Sequence, residues 1–345
     1  MAIHNTTCGQ LTNISLPRLA HINRRIDRAI SKDNFESASN LLDEAKRGLE
    51  MATKGLWFPE RINTSEIRRE LNRQSHDLET MGFVEKIAGR LGYYDTEGNE
   101  WILPTVQEIY DYLMEDFDFR YLLCRKELQG FGKIIIIPAF NLEMLIDNLE
   151  ARIGEKGGAP IKRDINWDRN FDELSYFGSI GEDGYFHGGI NRKRIYEERD
   201  RLPFIFKGYY VSLVEFDEEF VSANSEDVEI GGRKKLKAGK KMVEYQEQLA
   251  RLKESSMIPE EWIALYGERF VHHFINSGRR MGQFDSGQQH FDGEYMTAMP
   301  NCGFKSGLFV RMQYYAGISS IYLESTLPSQ TGAKTGVRPV LRRMK

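Results

Sequence analysis

The chain has 345 residues, with 47 Lys and Arg set against 51 Asp and Glu for a net charge of −4. This near-balance argues against bulk electrostatic capture of nucleic acid and leaves only local basic patches. The longest apolar run, from Ile134 to Phe140, is far too short to span a bilayer.

The length allows two domains at roughly 100–200 residues each. Three cysteines, Cys8, Cys124 and Cys302, are dispersed and odd in number. They imply a reduced, cytoplasmic setting with no disulfide framework. The N-terminus shows no basic stretch followed by an apolar run, so no signal peptide is expected.

In chain order, residues 15–55 predict two helices. Leu19, Ile22, Ile26 and Ile30 form one stripe; Phe35, Ala38, Leu41, Leu42, Ala45 and Leu49 form the next. Ser65 to Gln74 and Phe83 to Leu91 predict further helices. The stretch 92–104 predicts strand, turn, strand. Thr105 followed by Glu108 is a capping-box signature for a helix over 106–114. A helix is expected over 119–128, a buried strand over KIIIIPAF, and a helix from Asn141 to about Ile153.

GEKGGAP, residues 154–160, is the candidate linker: glycine-rich and closed by proline. Beyond it, aromatic segments alternate with glycine turns. A strand pair is expected in LPFIFKGYYVSLVEF, a helix after the basic run Arg233 to Lys241, and a helix opening at Pro259. The fold class expected is α+β. An α-rich domain over 1–153, the linker at 154–160, and a ligand-binding domain of short strands over 161–345 make up the chain.

The usual catalytic patterns are missing. No HxxxH, HExxH or paired CxxC occurs, and the glycine stretches match no phosphate-binding fingerprint. His272 and His273 are adjacent and diverge on a helix. The basic run is expected to be a solvated face, its field offset by the acidic residues just upstream. Cys302 is expected to be an inert thiol.

The segment from Arg311 to Lys334 differs from the rest. Apolar Ile318, Ile321, Leu323, Leu327 and Pro328 alternate with Ser, Thr, Tyr and Gln. Apolar anchors of this kind hold a backbone while the intervening side chains face outward. Tyrosine and serine are also the vocabulary of antibody paratopes. The alternative is an ordinary polar loop.

The tail closes on Gly336-Val337-Arg338-Pro339-Val340-Leu341. Upstream lie Gly231 to Gly239 (GGRKKLKAG) with Glu244-Tyr245, then Ile258-Pro259-Glu260-Glu261-Trp262-Ile263, and Leu128-Gln129-Gly130-Phe131 running to Pro138 and Phe140. On these stretches the chain, over about residues 120–345, resembles C-type-lectin-fold proteins of the formylglycine-generating-enzyme type. More narrowly, it resembles variable proteins of diversity-generating retroelements.

The resemblance implies a non-enzymatic scaffold that displays a hypervariable surface, rewritten by a reverse transcriptase with errors at template adenines. It implies a variable region over about 311–334. The implied ligand-binding residues are Arg311, Gln313, Tyr314, Tyr315, Ser319, Ser320, Tyr322, Glu324, Ser325, Thr326, Ser329 and Gln330. Trp262, Gly336 and Arg338 are implied as scaffold; Arg338 is expected to be partly buried and paired because the strand around it is apolar. Asn codons in a template reach Ser, Thr and Tyr, so Ser319, Ser320, Tyr322, Ser325, Thr326, Ser329 and Thr331 are reachable outcomes. Glu324, Gln330 and Lys334 are not.

The implied partner is a protein or glycan bound at this surface, with no cofactor, metal or membrane. Two alternatives keep the fold. One is a fixed-specificity adaptor or regulatory protein. The other is an enzyme, which lacks its copper-binding cysteine pair or its three-histidine iron site here.

Overall fold

The computed structural model describes residues 26–27, 30–31, 34–35, 38–42, 64–81, 104–115, 123, 129–131, 133–138, 142–155, 162–163, 173–197, 208–215, 220–271, 292, 295–304, 306–315 and 320–343. The chain is α+β, with helices and mainly antiparallel sheets. It divides into two compact units: 1–66 with 111–128, and 67–110 with 129–345. In the first, Ile26, Ala38 and Leu41 form a small buried cluster, as their helical spacing predicts. The hairpin expected at 92–104 and the helix expected at 83–91 lie outside the described residues.

Helix α1 spans Thr64–Thr80 and α2 spans Val106–Glu115. The predicted capping box opens α2. The Glu108 amide donates to Thr105 Oγ1 at 3.2 Å, and the Thr105 amide donates to Glu108 Oε2 at 2.9 Å. Strand β1, Lys133–Pro138, is buried along almost its whole length, and α3 follows at Leu142–Glu155.

Short strands come next: β2 Lys162–Arg163, β3 Ser175–Tyr176, β4 Ser179–Ile180, β5 Phe186–His187 and β6 Ile190–Asn191, then helix α4 Arg192–Glu197. Strand β7 is Tyr209–Val214; β8 Glu229–Ile230 and β9 Arg233–Lys234 form a hairpin over Gly231 and Gly232. Helix α5 is Met242–Leu252, β10 is Ser255–Ser256 and α6 is Pro259–Phe270. The tail holds β11 Met296–Gly303, β12 Phe309–Tyr315, β13 Ser320–Thr326, β14 Thr335–Val337 and β15 Pro339–Arg342.

A four-stranded antiparallel sheet runs β1-β7-β15-β10. This arrangement corrects the expected domain division. Strand β1 lies before residues 154–160 and pairs directly with β7 beyond them, so that glycine-rich stretch does not separate two bodies. A seven-stranded sheet runs β2-β13-β12-β11-β3-β6, with β14 added on β11. Strands β14 and β15 are continuous but belong to different sheets, so Arg338 stands at the crossing point.

Helix α6 is buried at almost every position and packs on α3, β1 and β12. Its carboxylates are therefore paired, as buried charge requires. Glu261 takes two 2.7 Å contacts from Arg342 and one hydrogen bond from Ser212 Oγ at 2.8 Å. Glu260 accepts from the Tyr176 hydroxyl at 2.7 Å. Glu268 binds Arg73 and Lys133.

Candidate ligand-binding surface

The surface begins with the β12–β13 hairpin. Its register opposes Arg311 to Glu324, Met312 to Leu323, Gln313 to Tyr322, Tyr314 to Ile321 and Tyr315 to Ser320. Side chains alternate across a strand, so two faces form. Met312, Tyr314, Ile321 and Leu323 are buried on one. Arg311, Gln313, Tyr322 and Glu324 share the other and are each partly exposed.

The buried face is held by stacked rings. Trp262 stacks on Tyr266 at 5.2 Å, and Tyr266 stacks on Tyr314 at 6.0 Å. Burial, with the neighbouring Tyr314, pushes the Tyr266 phenol well above its ordinary range. Among the described residues, helix α5 covers one end of the opposite face. There Phe309, Ala298 and Val337 pack under Met242, Tyr245 and Leu249 of α5. Further along β12 and β13 the same face opens at Arg311 and Gln313. Arg311 Nε and Nη2 each lie 2.7 Å from Glu324 Oε2. Cross-strand charge pairs of this kind contribute about 0.2–1 kcal/mol.

Beyond β13 the chain turns, with the Gln330 amide donating to Leu327 O at 3.1 Å. Ser329, Gln330 and Leu327 are exposed. The turn is tied to α5, where the Met242 amide donates to Pro328 O at 3.3 Å.

The structure therefore sorts the implied binding residues. Arg311, Gln313, Tyr322 and Glu324 stand together, and Ser329 and Gln330 follow on the turn. Tyr314 is corrected: it is 3% exposed and part of the ring stack, not an outward side chain. Thr326 is also corrected, being 3% exposed with its hydroxyl donating to Gln330 Oε1 at 2.8 Å. Ser325 is half-buried and falls on the Leu323 side. Tyr315 and Ser320 pair through their backbones, and their side chains lie outside the described residues, as does all of Ser319.

The expected scaffold residues converge on one acid that sequence reading missed. Arg338, 2% exposed, places Nη2 2.6 Å from Asp292 Oδ1. Trp262 Nε1 donates to Asp292 Oδ2 at 2.7 Å, and the Thr297 hydroxyl donates to the same oxygen. Asp292 also accepts from the Tyr314 amide through its carbonyl at 3.3 Å. The Arg338 guanidinium lies 4.7 Å over the Phe220 ring. Gly336 is needed beside it, because a β-carbon there would come within 2.4 Å of that ring.

The basic run is corrected in part. Arg233 is buried, with two 2.8 Å hydrogen bonds to Glu254 and a contact to Glu215. Burial also pushes the Cys302 thiol well above its ordinary value, which leaves it unreactive. Among the described residues no group of His, Cys, Asp and Glu has the arrangement to hold a metal, and no helix is long and apolar enough to cross a membrane.

Comparison of the chain with protein-family models, curated proteins and solved structures finds no match.

Proposed function

We propose that this chain is a non-enzymatic ligand-binding protein, with a lectin-type scaffold presenting a retroelement-diversified surface on β12, β13 and the turn after them. A cytoplasmic setting, read from the dispersed cysteines, is part of the proposal. The ligand class is a protein or glycan met by a polar, partly aromatic face.

One observation supports this above the others. The hairpin separates the residues that hold it from the residues it presents. Met312, Tyr314, Ile321 and Leu323 face the core, while Arg311, Gln313, Tyr322 and Glu324 do not. A surface that accepts many sequences must not carry the fold.

A second reading keeps the face with a fixed specificity. The Arg311–Glu324 pair favours it, because Glu324 is not reachable from an Asn codon and the two charges depend on each other. Sequencing the last 150 or so bases of the gene, and the flanking DNA, across a population separates the two readings. The diversified reading expects a near-identical second copy, mismatched only at template adenines, beside a reverse-transcriptase gene. Uniform variation with no second copy would overturn it in favour of fixed specificity.

A further inference from the structure

A second surface is built on β8, β9, the loop after them and α5, and no residue of β12, β13 or the turn after them is among its lining. Here lies a groove of about 270 Å³ whose lining includes Lys234, Lys235, Lys237, Lys240, Arg251 and Asp227. Five cations meet one acid. Its other lining residues are Gln248, which supplies an amide, and Leu236 and Leu252, which give apolar walls. Two apolar side chains thus back a lining that is otherwise polar and mainly cationic.

The cations have different ties. Lys234 and Lys237 both reach Asp227, at 3.0 and 2.7 Å. Their hydrogen bonds hold the exposed Asp227 carboxyl at about 2. Lys235 leans toward Glu215 at 3.9 Å, and Arg251 toward Glu247 at 3.6 Å. Lys240 has no ion-pair partner among the described residues. Asp227 thus already places one anionic group between two lysines, and three more cations line the same groove.

We propose that this groove binds a small phosphorylated ligand, with Lys234, Lys237, Lys240 and Arg251 contacting its phosphate oxygens. The surroundings argue for a small ligand over a nucleic-acid strand. A strand requires a basic track along which its backbone can run. Glu215, Glu229 and Glu247 flank these lysines and the arginine, and the whole chain is net acidic.

Inorganic tripolyphosphate titrated calorimetrically into the full chain tests this. Saturable one-to-one binding is expected, weakened about tenfold by Lys240→Gln, since each lost charge-assisted contact carries on the order of 1.5 kcal/mol. Asp227→Asn frees Lys234 and Lys237 and is expected to tighten binding. No saturable binding, or binding unchanged in Lys240→Gln and Arg251→Gln, would overturn the proposal. So would affinity for single-stranded oligonucleotides that climbs steadily with their length, which would mark a nucleic-acid path.

Discussion

Asp292 joins three residues that lie far apart in sequence. It accepts from Trp262, pairs with Arg338 and takes the Thr297 hydroxyl. Removing its charge breaks the buried Arg338 ion pair from one side, which typically costs about 3–5 kcal/mol. Asp292→Asn is therefore expected to lower unfolding stability by that order in a urea titration. Gly336→Ala forces a methyl group against the Phe220 ring and is expected to cost about 1–3 kcal/mol. Adding Phe220→Leu should recover part of that loss, a non-additivity that double-mutant unfolding curves would measure. The burial of Arg338 was legible, because its neighbours Val337, Pro339 and Val340 are apolar. Its partner was not, because a salt bridge across 46 positions leaves no local pattern. Tyr314 misled for a different reason. Tyrosine suits both core and surface, and only the alternation with Val310 and Met312 places it inside.

At the scale of elements, local signals were the reliable ones. The α2 capping box spans four residues and is visible without any tertiary knowledge. Thr105→Ala is expected to cost about 1 kcal/mol in chemical denaturation. The pairing of β1 with β7 was not legible, since sheet partners are chosen by packing over long separations and a glycine-rich stretch between them resembles a boundary. Helix α1 adds an ionic cluster: Arg73 binds Glu70, Asp77 and Glu268, and Lys133 binds Glu70 and Glu268. Burial raises the Glu70 carboxyl, but hydrogen bonding from Arg73 and the charge of Lys133 outweigh it and bring it from 4.5 down to about 2. The folded state thus binds fewer protons than the unfolded chain between those values. Stability from Glu70 is present above pH 4.5 and is lost as pH falls toward 2. Glu70→Gln is expected to flatten that part of the stability–pH curve while lowering stability at neutral pH. An unchanged acid limb would contradict this assignment.

Across the whole molecule, two sheets share one continuous chain at Arg338, and α6 is buried between elements of both. The hairpin is held to this frame by its buried face and, at the Phe309 end, by α5. The α+β class and the boundaries of many elements followed from periodicity and turn residues. The division of labour on β12 and β13 needed the register, which sequence alone leaves open. The central claim is that the presented face changes freely while the anchoring face does not. The most direct measurement is thermal unfolding of a variant carrying Arg311→Ser, Gln313→Ser, Tyr322→Ser and Glu324→Ser together, beside the single variant Tyr314→Ser. Replacing both members of the Arg311–Glu324 pair leaves no stranded charge. The fourfold variant is expected to melt near the parent, with a loss of about 1 kcal/mol, whereas Tyr314→Ser is expected to lose about 3–5 kcal/mol by emptying an aromatic site. A fourfold variant that loses as much as Tyr314→Ser would contradict it, because the presented face would then be part of what holds the fold together.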